Sequence, residues 1–315
     1  MKKIYFLRRE ECPACAADNF KPIYQMPYDQ PPIKDYLIDF YSRQGIVEFE
    51  YLVGATYALC KCAVCGMIFQ RYIPNDDLMK RLYDHWIDPS KAFRQHQQQA
   101  DLGYYSYFIQ EIMQIIAYFQ KNPSALSFLD FGMGWGKWAQ MVKAFGCDSV
   151  GIELSTERIE NAKLNGIKVI TWNEIPDQRF DFINTEQVFE HIPEPLQTLR
   201  HLKTALKTDG ILKISVPTAN DINRRLNTMD WKAQKGTRNS LNHVAPLEHI
   251  NYFTRSSLVM MASKAGMEEV FIPLKIQYRY STDWGGFFKI AKNIFRPIYR
   301  NIFKMQNYIF LRIRQ

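Results

Sequence analysis

The 315-residue chain is long for one ordinary domain and allows two, and its 47% apolar and 14% aromatic content can fill sizeable cores. A net charge of +8 does not mark a nucleic-acid binder, because seven Lys/Arg and no acid fall in Trp284–Gln315, leaving 33 basic against 32 acidic residues in the body. No run of about 18 uncharged apolar residues occurs, and Ile4–Leu7 is too short for a signal-peptide core; the expectation is a cytoplasmic protein with reduced thiols.

Five of the six cysteines lie in the first segment. Cys12-Pro-Ala-Cys15 is one C-x-x-C pair and Cys62-Ala-Val-Cys65 the other, with Pro13 and Gly66 suited to knuckle turns. Two such knuckles can present four thiolates to one zinc, and four sulfur ligands leave no open position for substrate, so that zinc would be structural. Cys60 has the wrong spacing and belongs with the strand YLVGATYALC. A disulfide pair, or a site that has lost its metal, stays open. Tyr28–Gly45 reads as an excursion between the knuckles. The pattern CPxC…YxLCKCxxCGMIFQRYIPNxxxLxxLYD over roughly residues 10–85 resembles the zinc-ribbon module that precedes methyltransferase domains in bacterial sugar and cell-surface glycan clusters.

Pro74–Tyr83 opens as a helix with acids in its first turn. Tyr104–Gln120 has apolar residues at helical spacing and stops at Asn122-Pro123. Leu126–Phe131 reads as a strand, followed by a glycine turn with Asp130, Gly132, Gly134 and Gly136, then a helix over Lys137–Phe145. Glycine lets the backbone turn sharply and approach a ligand, and the helix start directs free N–H groups into the turn. Ser149–Leu154 reads as the next strand and ends at Glu153, where a carboxylate can hold ribose hydroxyls. The third glycine is misplaced for a dinucleotide fingerprint, since position 137 is lysine. A carboxylate at 130 would repel a pyrophosphate and attract an α-ammonium. The order D-x-G-x-G-x-G, then an acid closing strand two, resembles class I S-adenosylmethionine-dependent methyltransferases.

Further on, Ser155–Asn165 reads as a helix, Ile167–Thr171 as strand three, Phe180–Asn184 as strand four, Pro195–Thr208 as a helix and Ile211–Val216 as strand five. EHIPEP resembles the E-H-x-x-x-P signature that follows strand four in this class. The resemblance implies cofactor contacts from Asp130, Gly132, Gly134, Gly136, Glu153 and Leu154, with Glu186 and Gln187 facing the methionine end. His191 has two readings, a base or a hydrogen-bonded structural histidine. Some quinone-type relatives hold a metal with E-x-x-E-H; Gln187 at the first of those positions weakens that set. Thr218–Asn251 is long and polar, as substrate lids are. It ends in EHINYFT, which resembles the E-H-x-x-Y-F-S/T found near the active site of these methyltransferases, where in sugar C-methyltransferases the matching histidine is a candidate for substrate proton handling. His249 is the matching candidate base, or a structural histidine; Pro246 stands where the carbon-methylating pattern has tyrosine.

Ser256–Ala265 reads as a helix, and Met267–Ile276 with Gln277–Tyr280 as the last two strands. In the tail, Lys289, Lys292, Arg296, Arg300 and Lys304 form one helical stripe, interrupted at Pro297. It is either a solvated face or a segment that touches the inner face of a membrane beside anionic lipid. The reading is an α/β chain: a zinc-binding module at 1–75, a helical linker at 76–121, a Rossmann-like seven-stranded methyltransferase domain with helices on both faces at 122–283, and a basic amphipathic tail at 284–315. It implies S-adenosylmethionine and a structural zinc through Cys12, Cys15, Cys62 and Cys65. The acceptor would be a small molecule, a sugar, nucleotide-sugar or lipid-linked glycan, with a quinone or other lipid precursor as the alternative, and a non-catalytic cofactor-binding protein as the third reading.

Overall fold

The computed structural model describes residues 5–42, 45–88 (the Asp84 side chain excepted), 91, 94, 97–98, 101–217, 221–281, 290–291, 293–298 and 308–315. The chain divides into two compact units, and each is built from separate stretches of sequence. The first comprises residues 1–94, 189–198 and 216–265; the second comprises 95–188, 199–215 and 266–315.

The chain begins in the first unit with β1 (Phe6–Arg8), β2 (Phe20–Pro27), α1 (Ile33–Ser42), β3 (Thr56–Cys62), β4 (Ile68–Gln70), β5 (Tyr72–Pro74) and α2 (Asp76–Arg81). The inserted excursion is therefore mostly the helix α1, which buries Ile33, Leu37 and Tyr41 at four-residue steps on one face. Asn75 caps α2 by accepting the Leu78 N–H, with Asp76 and Asp77 in the first turn and Lys80 and Arg81 in the last, both favourable to the helix dipole. Glu48 then fixes the end of α2 from outside, accepting two bonds from Arg81 at 2.6 Å and one from Trp86 Nε1 at 2.7 Å.

The second unit opens with α3 (Leu102–Phe119), capped by Asp101 through the Tyr104 N–H. There follow β6 (Ser127–Phe131), α4 (Lys137–Ala144), β7 (Asp148–Ile152), α5 (Thr156–Leu164), β8 (Lys168–Val169), β9 (Phe180–Glu186), α6 (Pro195–Thr204, whose first four residues are assigned to the first unit) and β10 (Leu206–Ser215). Strands β6, β7 and β9 are buried almost throughout and pair in parallel, as expected of a sheet covered on both faces. Ser155 is the first residue outside α5, but its side chain makes no capping bond.

The chain then returns to the first unit with α7 (Ile222–Thr228), β11 (Asn251–Tyr252) and α8 (Arg255–Lys264). Strand β11 joins the first unit's four-stranded sheet, of order β11-β4-β3-β2. Of the stretch 218–251, expected to form a lid, the described residues 221–251 contribute to this unit's core. Ile222, Leu226, Trp231, Leu241, Val244 and Leu247 pack with Tyr28, Leu37, Tyr41, Tyr57 and Trp86. Trp231 meets Tyr24, Tyr36 and Tyr57 at ring-centroid distances of 5.2–5.7 Å. Burial on this scale stabilises by roughly 1.5–3 kcal/mol for each large side chain.

Last come β12 (Met267–Val270), α9 (Leu274–Arg279) and β13 (Tyr308–Ile313), which complete a seven-stranded sheet of order β12-β13-β10-β9-β6-β7-β8. The α/β class and strand number agree with the sequence reading, but the seventh strand lies elsewhere. Gln277–Tyr280, expected as a strand, falls mostly within α9, which follows directly on Pro273. The missing strand is YIFLRI at 308–313, inside the segment expected as a tail, and it lies antiparallel to both β10 and β12. Ile309 and Leu311 are completely buried there. Of the basic stripe, Lys289, Lys292, Arg300 and Lys304 lie outside the described residues, and Arg296 lies in the helical stretch 293–298. Among the described residues no helix is long and apolar enough to cross a membrane.

Candidate active site

The glycine turn and the carboxylates belong to the second unit. After β6 the chain reverses over the end of β7, where Gly132 and Met133 N–H both donate to Ile152 O at 2.9 and 3.0 Å. Gly132 and Gly134 have φ of +71° and +56°, and a Cβ on Gly132 would lie 2.7 Å from Val188 Cγ2. Larger residues are excluded there by both conformation and space. Glu153 follows β7 and ties the turn down. Its Oε2 accepts the Gly134 N–H at 2.9 Å, and its Oε1 accepts from Leu154 N at 2.8 Å and Ser155 N at 3.1 Å. Leu154 is 95% exposed beside it.

Asp130 is 3% exposed, and its hydrogen-bond donor is Asn184 Nδ2 at 2.8 Å. Burial pushes its carboxyl up to about 7, against the Asn184 bond and the charge of Lys213, which lower it. Among the described residues no cation bonds it, and a buried carboxylate so placed is suited to receive one from a ligand. Glu186, at the end of β9, is held by the completely buried Lys213 at 2.6 Å and by Ser215 Oγ at 2.9 Å. Lys213 also bonds Glu111 Oε1 of α3 at 2.7 Å. Burial works against the ammonium, but the two carboxylates outweigh it and leave its pKa raised. Gln187 has φ +55°; its N–H donates to Ser215 O at 3.0 Å and its Nε2 to Ser215 Oγ at 3.3 Å.

His191 and His249 belong to the first unit, where their rings lie 5.0 Å apart, centroid to centroid. His191 Nδ1 lies 2.9 Å from Glu248 O, and His249 Nδ1 is hydrogen-bonded to Asn242 O. A carbonyl only accepts, so each Nδ1 carries the proton and each Nε2 keeps its lone pair. Burial lowers the pKa of His191 to about 4, and burial together with His191 lowers that of His249 to about 3; both are neutral near pH 7. Glu190 joins them, its carboxylate and the two imidazoles presenting polar atoms within 4.8 Å of one another. Position 187, a carboxylate in the quinone-type pattern, is the amide described above. The structure thus brings the two candidate histidines together and gathers the eight cofactor candidates in the other unit.

The four cysteines predicted as ligands form a buried cluster, with Cys12–Cys65 and Cys15–Cys62 sulfur separations of 3.6 Å. A disulfide requires about 2.05 Å, whereas tetrahedral Zn–S bonds of about 2.3 Å place sulfurs roughly 3.8 Å apart. The two knuckles are the same turn built twice. Ala16 N donates to Cys12 O and Gly66 N to Cys62 O; Cys12 N donates to Ala17 O and Cys62 N to Met67 O. Ala16 and Gly66 both have positive φ, at 56° and 75°. Cys60 stands apart in β3, paired with Phe69.

Glu111, Asn184 and Lys213 were not singled out from the sequence, nor were Gln70 and Asn251 of the first unit. The available signal was a lone polar residue inside an apolar run, as Lys213 in ILKISV or Gln70 in GMIFQ. Such a residue must have a partner if it is buried.

Residues 85–270 match the family described as Methyltransferase domain. The chain belongs to this family and carries a class I, S-adenosylmethionine-dependent methyltransferase domain. Among curated relatives it is 26% identical over 155 residues to the ubiquinone biosynthesis O-methyltransferase of Haemophilus ducreyi, covering 41% of this chain and 64% of that protein. It is 30% identical over 127 residues to the protein of the same name from Actinobacillus pleuropneumoniae serotype 5b, covering 35% and 52%. The chain therefore spans between about half and two thirds of the length of these relatives. Among solved structures, the plantazolicin methyltransferase BpumL in complex with a pentazolic desmethylPZN analog and SAH aligns over 76% of this chain and 95% of its own, at 15% identity and a TM-score of 0.48. PKMT2 from Rickettsia typhi aligns over 65% and 52%, at 13% identity and a TM-score of 0.43.

Proposed function

We propose that this protein transfers a methyl group from S-adenosylmethionine to a small-molecule acceptor. The observation that carries the reading is Asp130, a buried carboxylate with one amide donor, beside a glycine turn closed by a second carboxylate. S-adenosylmethionine, when bound, supplies an electrophilic methyl on a positive sulfur. Asp130 would hold the α-ammonium, and the turn 132–136 would let the ligand backbone approach closely. Glu153 has about four lone-pair sites, three of them engaged by N–H groups, and its Oε2, 3.6 Å from the Arg158 guanidinium, would offer the remaining one to a ribose hydroxyl; Leu154 would cover the adjoining apolar face. Glu186 and Gln187 would lie toward the methionine end. The protein's main contribution is to hold donor and acceptor close and in line. A base is required only where the acceptor must lose a proton, and the neutral Nε2 of His249 or of His191 has the lone pair for it.

For the acceptor, the cysteine module and its resemblance support a sugar, nucleotide-sugar or lipid-linked glycan. The names of the curated relatives favour a second reading, O-methylation of a quinone precursor. Four cysteines at tetrahedral separations support a structural zinc, and the tail's stripe supports peripheral contact with an anionic membrane; no nucleic-acid partner is proposed. Calorimetry with S-adenosylhomocysteine and with an adenine dinucleotide tests the first claim, and binding of the dinucleotide alone would overturn it. Transfer of labelled methyl to nucleotide-sugars or to catechol-type precursors then separates the acceptor classes.

A further inference from the structure

The cysteine knuckles and the histidine pair are far apart in sequence but share one hydrogen-bonded framework in the first unit. Strand β11 begins two residues after His249 and pairs with β4, which begins three residues after Cys65; Asn251 faces Phe69 and Tyr252 faces Ile68. Gln70, completely buried at the end of β4, donates its backbone N–H to Ile250 O at 2.9 Å. Its side-chain Nε2 donates to His249 O at 3.2 Å and Ala245 O at 3.0 Å, while Tyr28 OH donates to its Oε1 at 3.3 Å.

Asn251 does for the His191 loop what Gln70 does for His249. It is 1% exposed, and its Nδ2 donates to Phe189 O at 2.9 Å and Ile192 O at 2.6 Å. Its Oδ1 accepts from Arg9, three residues before Cys12, at 2.9 Å, and the same guanidinium donates to Ile250 O at 3.2 Å and Pro193 O at 2.6 Å. The second knuckle is tied to the same strand, since Thr254 Oγ1 and Ser256 Oγ donate to Cys65 O at 3.3 and 2.8 Å. Backbone on either side of each histidine is thus fixed by side chains of the ribbon or of the strand that completes its sheet.

We infer that the cysteine ribbon is the scaffold of the histidine pair, and that Gln70 and Asn251 are the positioning residues through which it sets the orientation of His249 and His191. The inference rests on reading that pair as the proton-handling groups of methyl transfer. It gives the ribbon a task in the reaction beyond its own folding. Removing the two Asn251 donors frees the 189–192 turn and, with it, the alignment of His191 Nδ1 on Glu248 O. Removing the Gln70 donors frees the carbonyls of Ala245 and His249.

The test uses full-length, metal-replete protein labelled with 15N at histidine, and reads the tautomer of each ring from long-range nitrogen–proton correlations. In the wild type both rings should show a protonated Nδ1 and a bare Nε2. Asn251→Asp, nearly isosteric, should convert His191 to a mixture of tautomers, and Gln70→Met should do so for His249. Each should leave the dissociation constant for S-adenosylhomocysteine within about twofold of wild type. Leu78→Ala in α2, fully buried in the same core, is the control for general destabilisation and should leave both tautomers intact. Should Asn251→Asp fail to fold, Asn251→Leu removes the same donors without adding charge and carries the same expectation. Unchanged tautomers in both positioning variants would overturn the inference. If the tautomers change as stated while His191→Ala and His249→Ala keep wild-type turnover, the scaffold stands and the reading of the pair as the base falls.

Discussion

Replacing Asp130 by asparagine separates the charge of this residue from its shape, and two measurements follow with opposite signs. The carboxyl is raised from 3.8 to about 7 by burial. At pH 7.5 about three quarters of the free protein then carries the charge, and at pH 5.5 about 3%. A ligand α-ammonium, whose ordinary pKa is about 7.7–8.0, is protonated at pH 5.5 and about 60–75% protonated at pH 7.5, and pairing with it draws the carboxyl pKa down. The dissociation constant for S-adenosylhomocysteine should therefore rise about 15- to 20-fold between pH 7.5 and 5.5 in the wild type, the loss of carboxylate outweighing the gain of ammonium. His191 and His249, at about 4 and about 3, do not titrate in that interval. The amide of D130N cannot ionise, so the variant should bind weakly at both values with little slope. Stability runs the other way. A carboxyl whose folded pKa exceeds its unfolded value contributes stability that is present at low pH and is lost as pH rises through the folded value. Unliganded wild type should lose stability from about pH 4 to pH 7, by at most about 4 kcal/mol. D130N should match it near pH 4 and exceed it at pH 8 in thermal or denaturant melts. A flat wild-type binding profile, or a D130N protein that keeps the slope, would refute the assignment of the ammonium to this residue.

Other parts of the structure can be tested as directly. Leu311 is fully buried in β13, so Leu311→Ala should cost about 2–5 kcal/mol in urea denaturation; a cost well under 1 kcal/mol would mean that 308–313 is not a strand of the central sheet. Lys213→Met leaves Glu111 and Glu186 facing each other without their shared cation and should cost about 3–5 kcal/mol. Adding Glu111→Gln should recover part of that loss, and a double variant no more stable than the single one would show that the three groups are not coupled. For membrane contact, reversing Lys289, Lys292 and Arg296 to glutamate should abolish flotation with anionic vesicles. Truncation near Asp283 would not answer the question, because it also removes β13. Wild type that does not float would end the proposal.

What could be read from the sequence, and what could not, follows from the range of the interactions. The turn around Gly132–Gly136, the strand ending before Glu153 and the repeated knuckle at Cys12 and Cys62 are local: each needs only a few consecutive residues of particular conformational freedom or donor type. The order of these motifs along the chain therefore indicated the α/β class and the two groups of functional residues. The seventh strand was missed because YIFLRI is buried on both faces and shows no alternation, and because a helical stripe of bases precedes it. KIQYRY failed in the opposite sense, having strand-like composition but lying directly after Pro273 as a helix. The segment 218–251 looked like a lid because its polar residues are numerous, yet six of its apolar ones, Ile222, Leu226, Trp231, Leu241, Val244 and Leu247, meet the aromatic core formed by residues 28–86. No periodicity can report a partner so distant along the chain. The same limit hid Gln70 and Asn251. A buried amide in an apolar run must be satisfied, so its presence could be noticed, but the carbonyls it satisfies, those beside His249 and His191, belong to chain segments that meet only in the folded protein. The division of the chain into two discontinuous units has the same origin: the ribbon's sheet is one strand short until residues 251–252 arrive.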